Sequence, residues 1–393
     1  MTAWRKTTSS PTWQFVILII VVTFTGLSQG LLLPLLTIFL ERMGVPSDLN
    51  ALNATALYIG VFGMMFLVER ILMKVGFKRM ILGGLLVVSA TLALFPILQN
   101  IWVWFVLRLV VGIGDSALHY ATQLWAVSVS PAHRRGRNIS LYGMAYGVGF
   151  SFGPLGINLL KISDAAPFIV IVIMFVVVMG IVFLKLPNQH AAMMEDGSRP
   201  EKRYARSYQW AWFALLPAFL YGYMEASMNS NFPVYALRLG LEQEWISYLL
   251  PFFGIGGLIL QLPLGILSDR IDRKKVLMTC GIIGGIGFLI IPFFGTNIWG
   301  ILIMFMLVGG LVGSFFSLGL AYAADILPKA YLPSANVIAS IHFSIGSIVG
   351  PNLAGLGIQH ISIGSMFYLL GIWYIGFSLL GLVFKRETKT LAS

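Results

Sequence analysis

Runs of about 20 apolar residues, the length that crosses a bilayer core as a helix, recur along the whole chain. VILIIVVTFTGLSQGLLLPLLTIFL and VLMTCGIIGGIGFLIIPFF are two of them. The apolar residues come in blocks and not in alternation. With 58% of residues hydrophobic and 10% charged, against about 25% charged in a soluble domain, there is too little polar surface to cover a water-soluble core of this size. The expected class is an all-α membrane protein.

Twelve spans are expected, near residues 13–40, 52–68, 80–98, 101–123, 139–160, 167–186, 210–237, 245–267, 276–294, 298–321, 334–358 and 366–384. The longest hydrophilic stretch, NQHAAMMEDGSRPEKRYARS, falls between the sixth and seventh. It divides the chain into a six-helix bundle over 1–186, a cytoplasmic linker over 187–208 and a second six-helix bundle over 209–393. The apolar segment after Arg5 and Lys6 is too long for a cleaved signal and reads as a retained first span. The single cysteine, Cys280, lies in an apolar run and reads as a small buried hydrophobe.

Of the 26 lysines and arginines, 22 fall on the side of the membrane that holds the N-terminus, 3 on the other, and Arg108 lies inside a span. The positive-inside rule then places both termini in the cytoplasm. It also explains the +11 net charge without a nucleic-acid partner. The halves look like copies. Pro34 matches Pro233 at an offset of 199, Glu69-Arg70 matches Asp269-Arg270 at 200, and Gly149-x-x-x-Gly153-Pro154 matches Gly346-x-x-x-Gly350-Pro351 at 197. Such a repeat is the architecture of many secondary transporters.

The link GILSDRIDRKKVL packs six charged side chains between two apolar spans. Gly265 would admit a neighbouring backbone. Asp269 would face a helix N-terminus, Arg270 would pair with Asp269, and Arg273, Lys274 and Lys275 would hold the loop at the anionic inner leaflet. On this reading the link is a conformational latch, with Glu69 and Arg70 its first-half counterpart; the plainer reading is a loop whose basic residues only set topology. Gly149 and Gly153 share a helix face, and Pro154 removes a backbone hydrogen bond. With Gly350 and Pro351 they read as a hinge, or as ordinary helix packing.

Two acids lie deep in spans, Asp115 and Glu225. Intramembrane carboxylates cost about 2.5–3.5 kcal/mol for Asp on insertion scales, so they are functional candidates. Arg108, Asp115 and His119 are spaced by seven and four on one helical face; an ion pair with Arg108 is the structural alternative for Asp115. Asn229 and Tyr221 lie near Glu225, and Gln29 adds a polar group in the first span. His342 and Asn352 read as helix–helix contacts, and Tyr208, Trp210, Trp212, Tyr235 and Trp245 as an interfacial aromatic belt.

These residues carry a resemblance. GILSDRIDRKKVL is similar to the cytoplasmic loop motif of the major facilitator superfamily, and MFLVERILMKVGFKRM is a weaker form with Met65 for Gly and Glu69 for Asp. RLVVGIGDS resembles the family's fourth-helix motif, PAHRRGR its usual successor, and GVGFSFGPLG the fifth-helix motif of drug/proton antiporters, with Ile157 where a second Gly is common. The resemblance covers essentially the whole chain. It implies a twelve-helix transporter of two pseudo-symmetric bundles, with Gln29, Asp115 and Glu225 around one aqueous pocket. A carboxyl in low dielectric favours its protonated form, so it can exchange a proton for a cationic ligand, and His119 can relay.

The expected function is a proton-coupled exporter of small amphipathic or cationic compounds, working by alternating access in a bacterial plasma membrane. Its partners are protons, a small-molecule substrate and lipid; no cofactor, metal or nucleic acid is expected, and the protein is expected to be monomeric. No G-x-x-x-x-G-K-[ST] motif is present to bind ATP. The alternatives are an importer or facilitator of a sugar-like, organic-acid or lipid substrate, with Arg108 binding an anion, and an intramembrane enzyme using Asp115 and His119. The second lacks a supported nucleophile or an HExxH metal site.

Overall fold

The computed structural model describes residues 10–131, 134–189 and 202–384. Arg5, Lys6, part of the PAHRRGR link, the middle of the central linker and the basic C-terminal residues lie outside the described residues. The described residues are helices joined by short links. The helices are α1 (Pro11–Arg42), α2 (Ser47–Met65), α3 (Val68–Val75), α4 (Phe77–Leu94), α5 (Ile101–Ser128), α6 (Arg135–Phe152) and α7 (Ala166–Lys185), followed by α8 (Arg203–Arg238), α9 (Gln243–Arg270), α10 (Arg273–Ile290), α11 (Ile298–Val312), α12 (Phe315–Ile326), α13 (Leu332–His360) and α14 (Ser365–Val383).

Nine helical segments among the described residues are long and apolar enough to cross a membrane, α11 and α12 counting as one. The pair α2 and α3, bent by 62° at its break, makes a tenth if the pair is one span. The other two expected spans fall on α6, extended by a 3-10 segment over Gly153–Lys161, and on α8, which is kinked at Ala211 and carries Glu225, Asn229 and Asn231. Pro154 opens the 3-10 segment, whereas Pro351 sits inside an unbroken α13. Contact clustering gives two compact units, Met1–Leu35 with Ala56–Met193, and Leu36–Thr55 with Met194–Ser393.

Helix ends follow the local chemistry. Asn100 caps α5 by accepting from the Trp102 and Val103 amides at 2.9 and 3.3 Å. Asp272 caps α10 through the Lys275 amide at 3.1 Å. α1 and α8 end alike. Gly44 and Gly240 adopt left-handed φ of 72° and 86°, and the next amide in each case, Val45 or Leu241, returns 3.0 Å to the carbonyl of Leu40 or Ala236. Only glycine takes that backbone without strain.

Within each unit the tightest helix contacts are made through glycine, and they recur at one spacing. A Cβ on Gly26 or Gly149 would run into the backbone of the facing helix, at the Tyr146 and Thr23 carbonyls. Gly222 and Gly346 meet the Phe343 and Phe219 carbonyls in the same way. Gly60 and Gly112 bring α2 against α5 at Leu109 and Leu57, and Gly256 and Gly309 bring α9 against α11 at Met306 and Phe253. Each first-unit glycine has its partner 196 or 197 residues later. Small residues at these positions let backbones touch, which is how helices associate where lipid removes the hydrophobic incentive.

His342 and Asn352 join helices as expected: His342 Nδ1 lies 3.2 Å from the Leu215 carbonyl and Asn352 Nδ2 donates 2.7 Å to Thr55 Oγ1. Tyr235, expected in the aromatic belt, is instead buried at 1% exposure, edge-on to Phe367 at 5.0 Å.

Candidate functional site

The contact between α1 and α6 at Gly26 and Gly149 sets what the neighbouring side chains can reach. Gln29 Nε2, one residue before Gly30, donates to Asp115 Oδ2 on α5, and Tyr146 Oη on α6 donates to Gln29 Oε1. One amide thus ties a buried carboxylate to a tyrosine hydroxyl and three helices to each other. His119, one turn from Asp115, presents its ring edge-on to Tyr146 with centroids 4.5 Å apart. Its Nδ1 lies 3.4 Å from Tyr142 Oη, which is 2.7 Å from Thr122 Oγ1. A polar cluster therefore sits in the middle of the first unit, its carboxylate 4% exposed.

The sequence places Arg108, Asp115 and His119 on one helical face, and the structure separates their roles. Arg108 makes no ion pair with Asp115, because two helical turns put them about 10 Å apart along the axis. Its guanidinium is 1% exposed, with none of its three nitrogens hydrogen-bonded among the described residues; Tyr58 on α2 is within its electrostatic reach. Tyr142 and Tyr146 were not singled out from sequence. Their i, i+4 spacing on one face of α6 is the signal that would have found them.

In the second unit, Glu225 on α8 accepts a hydrogen bond from Tyr221, one turn earlier. The Tyr221 ring lies 6.2 Å from Phe316 of α12 and 6.1 Å from Phe343 of α13, and those two are 6.0 Å apart edge-on. Four half-buried side chains from three helices thus join one carboxylate to three aromatic rings. Asn229 Nδ2 donates 2.8 Å to the Glu225 backbone carbonyl, so its amide braces the helix and not the carboxylate. Tyr223 turns away and packs beside Trp373.

The charged link between α9 and α10 differs from expectation in its pairing. Asp269 binds Arg273 at 2.6 Å, not Arg270, and Arg273 Nε also binds Asp325 Oδ2 of α12 at 2.7 Å. The reason is spacing: residue i+4 returns to the same side, and i+1 points away. Gly265 faces open space, with no atom within 4 Å of where its Cβ would be, so no helix backbone approaches it. Glu69 and Arg70 are exposed. A Cβ on Gly153 would stand 2.5 Å from the Leu27 carbonyl, and one on Gly350 would stand 2.5 Å from the Tyr223 carbonyl and 2.7 Å from Ser227 Oγ, distances that leave no room for a side chain.

A family model described as Major Facilitator Superfamily matches residues 18–260 and 243–393. The chain is 40% identical over 363 residues to the uncharacterized MFS-type transporter YfkF of Bacillus subtilis (strain 168), spanning 91% of this chain and 92% of that one. It is 20% identical over 351 residues to the uncharacterized MFS-type transporter YcaD of Salmonella enteritidis PT4, covering 88% of each. Among solved structures it is similar to the nucleoside transporter NupG, as its D323A mutant, with a TM-score of 0.74 at 15% identity over 95% of this chain and 100% of that chain. It is also similar to a bacterial homologue of the human lysosomal transporter Spinster, in an inward-facing and unoccupied conformation, with a TM-score of 0.70 at 13% identity over 95% of each.

Proposed function

The chain belongs to the major facilitator superfamily, and we propose that it is a proton-coupled antiporter exporting small amphipathic or cationic compounds by alternating access. The family is one of secondary transporters and not of enzymes, and the chain is a multi-pass membrane protein. The observation that carries the coupling is Asp115, a carboxylate held inside the span α5 by Gln29 and linked through it to Tyr146. An intramembrane acid is expensive and therefore rare, and marks an ion or ligand pathway by default. Glu225, bound to Tyr221, whose ring packs with Phe316 and Phe343, supports a cationic cargo, because a carboxylate and aromatic faces both attract positive charge. The asymmetry of basic residues between links supports cytoplasmic termini.

The deciding experiment reconstitutes the protein in proteoliposomes under an imposed pH gradient and follows cationic dye uptake. Asp115→Asn and Glu225→Gln each lower gradient-driven uptake; equality of both variants with wild type rejects the reading. Arg108 favours one other reading, an importer or facilitator of an organic anion, since its buried guanidinium has no hydrogen-bonding partner among the described residues. Flux of an organic acid that ignores pH and fails in Arg108→Gln would favour that reading.

A further inference from the structure

Two helices of the first unit, α4 and α7, leave a groove of about 390 Å³ on their outer side, lined by apolar residues. Gly83 and Gly180 form its floor, with no atom within 4 Å of where either Cβ would lie. Leu86, Val176 and Phe183 wall it and are 59%, 55% and 64% exposed. Neither helix contains an Asp or Glu. Basic residues gather at one end. Lys78 Nζ donates 2.7 Å to the Phe183 carbonyl and lies 5.3 Å from the centre of its ring, and exposed Arg79 and Lys185 sit on the same two helices.

The second unit repeats the anchor and not the groove. Lys274 Nζ donates 2.7 Å to the Phe384 carbonyl and lies 5.7 Å from its ring. There α10 and α14 close on glycines: a Cβ on Gly285 would stand 2.7 Å from Ile375 and 2.9 Å from the Gly371 carbonyl. In the first unit Gly83 and Gly180 leave open space between α4 and α7 where the groove lies.

We propose that this groove is a binding site for one anionic phospholipid, with an acyl chain laid over Gly83 and Gly180 and the phosphate held by Lys78 and Arg79. The walls match hydrocarbon, and the uncompensated basic rim matches a negative headgroup. Lys78 uses one of its three donors on the Phe183 carbonyl and keeps two for phosphate oxygens.

The test is native mass spectrometry of the full chain, released from detergent holding equal phosphatidylglycerol and phosphatidylcholine. Wild type retains one phosphatidylglycerol in preference. Lys78→Gln and Arg79→Gln each cut that preference about fivefold, the worth of one basic residue near an anionic surface. The double change Gly83→Leu with Gly180→Leu fills the groove and removes retention, and the open space at both sites lets the variant elute as wild type does. Lys274→Gln leaves retention unchanged. Equal retention of the two lipids, or retention by the groove-filled variant, overturns the proposal. So does a dimer mass that the groove-filled variant abolishes, which would assign the groove to a second copy of the chain.

Discussion

The Cα of Gly149 on α6 lies directly against the backbone carbonyl of Thr23 on α1, with no room between them for a methyl group. Backbone, unlike a flexible side chain, does not yield to an inserted atom. Gly149→Ala is therefore expected to lower stability by about 1–3 kcal/mol, the usual cost of overpacking. Gly143→Ala, on the same helix but with open space at its Cβ, leaves stability unchanged. Thermal unfolding in detergent, followed by loss of the monodisperse peak, compares the two.

Asp115→Asn keeps an oxygen to accept from Gln29 but never carries a charge. The variant is expected to lose acceleration by a pH gradient while retaining exchange of substrate across the membrane at zero gradient. Tyr146→Phe removes only the hydroxyl that holds Gln29, a loss of about 0.5–1.5 kcal/mol, and slows gradient-driven uptake without removing its pH dependence. Parallel uptake and counterflow assays separate these outcomes.

Arg273 serves two carboxylates that are 61% and 45% exposed at their side chains. Pairs that wet contribute about 0–1 kcal/mol to stability. Arg273→Gln is thus expected to leave the unfolding temperature nearly unchanged while lowering transport several-fold, and Asp325→Asn to do the same. Loss of inserted protein in either variant, measured by membrane fractionation, would assign the cluster to folding and topology.

Phe316→Ala removes one of the two phenylalanine rings packed with Tyr221, the residue that binds Glu225. For a cationic dye the expected loss of affinity is about 0.5–2 kcal/mol, the range for a cation over an aromatic face. A neutral amphipathic dye of similar size loses less. Binding titrations of the two dyes check the difference, and an equal loss for both removes the case for charge recognition.

Much of this was legible in the chain because lipid enforces simple rules. Block hydrophobicity marked the spans, and the Gly149 and Gly346 motifs marked a repeat whose glycine contacts recur at 196–197 residues. Asp115 and Glu225 stood out because acids are rare in spans. Contacts between helices were less legible, since periodicity gives the face of a residue and not the helix opposite it. Gln29 could be named as a polar group, but its bridge from Asp115 to Tyr146 depends on how closely α1 approaches α6. Gly265 shows the converse: a glycine permits close approach without causing it. Pairing Asp269 with Arg270 failed on simple helical geometry, in which adjacent residues diverge.

α8 has a bearing on how the protein is made. It is kinked at Ala211 and carries Glu225, Asn229 and Asn231, and it is not among the nine segments long and apolar enough to cross a membrane. Asn231 Nδ2 donates 3.2 Å to the Pro351 carbonyl, and Gly222 and Gly346 seat α8 against α13. That partner is synthesised about a hundred residues later. A chain ended before Leu332 would hold α8 without α13, and so without the carbonyl that satisfies Asn231 and the backbone that Gly222 meets.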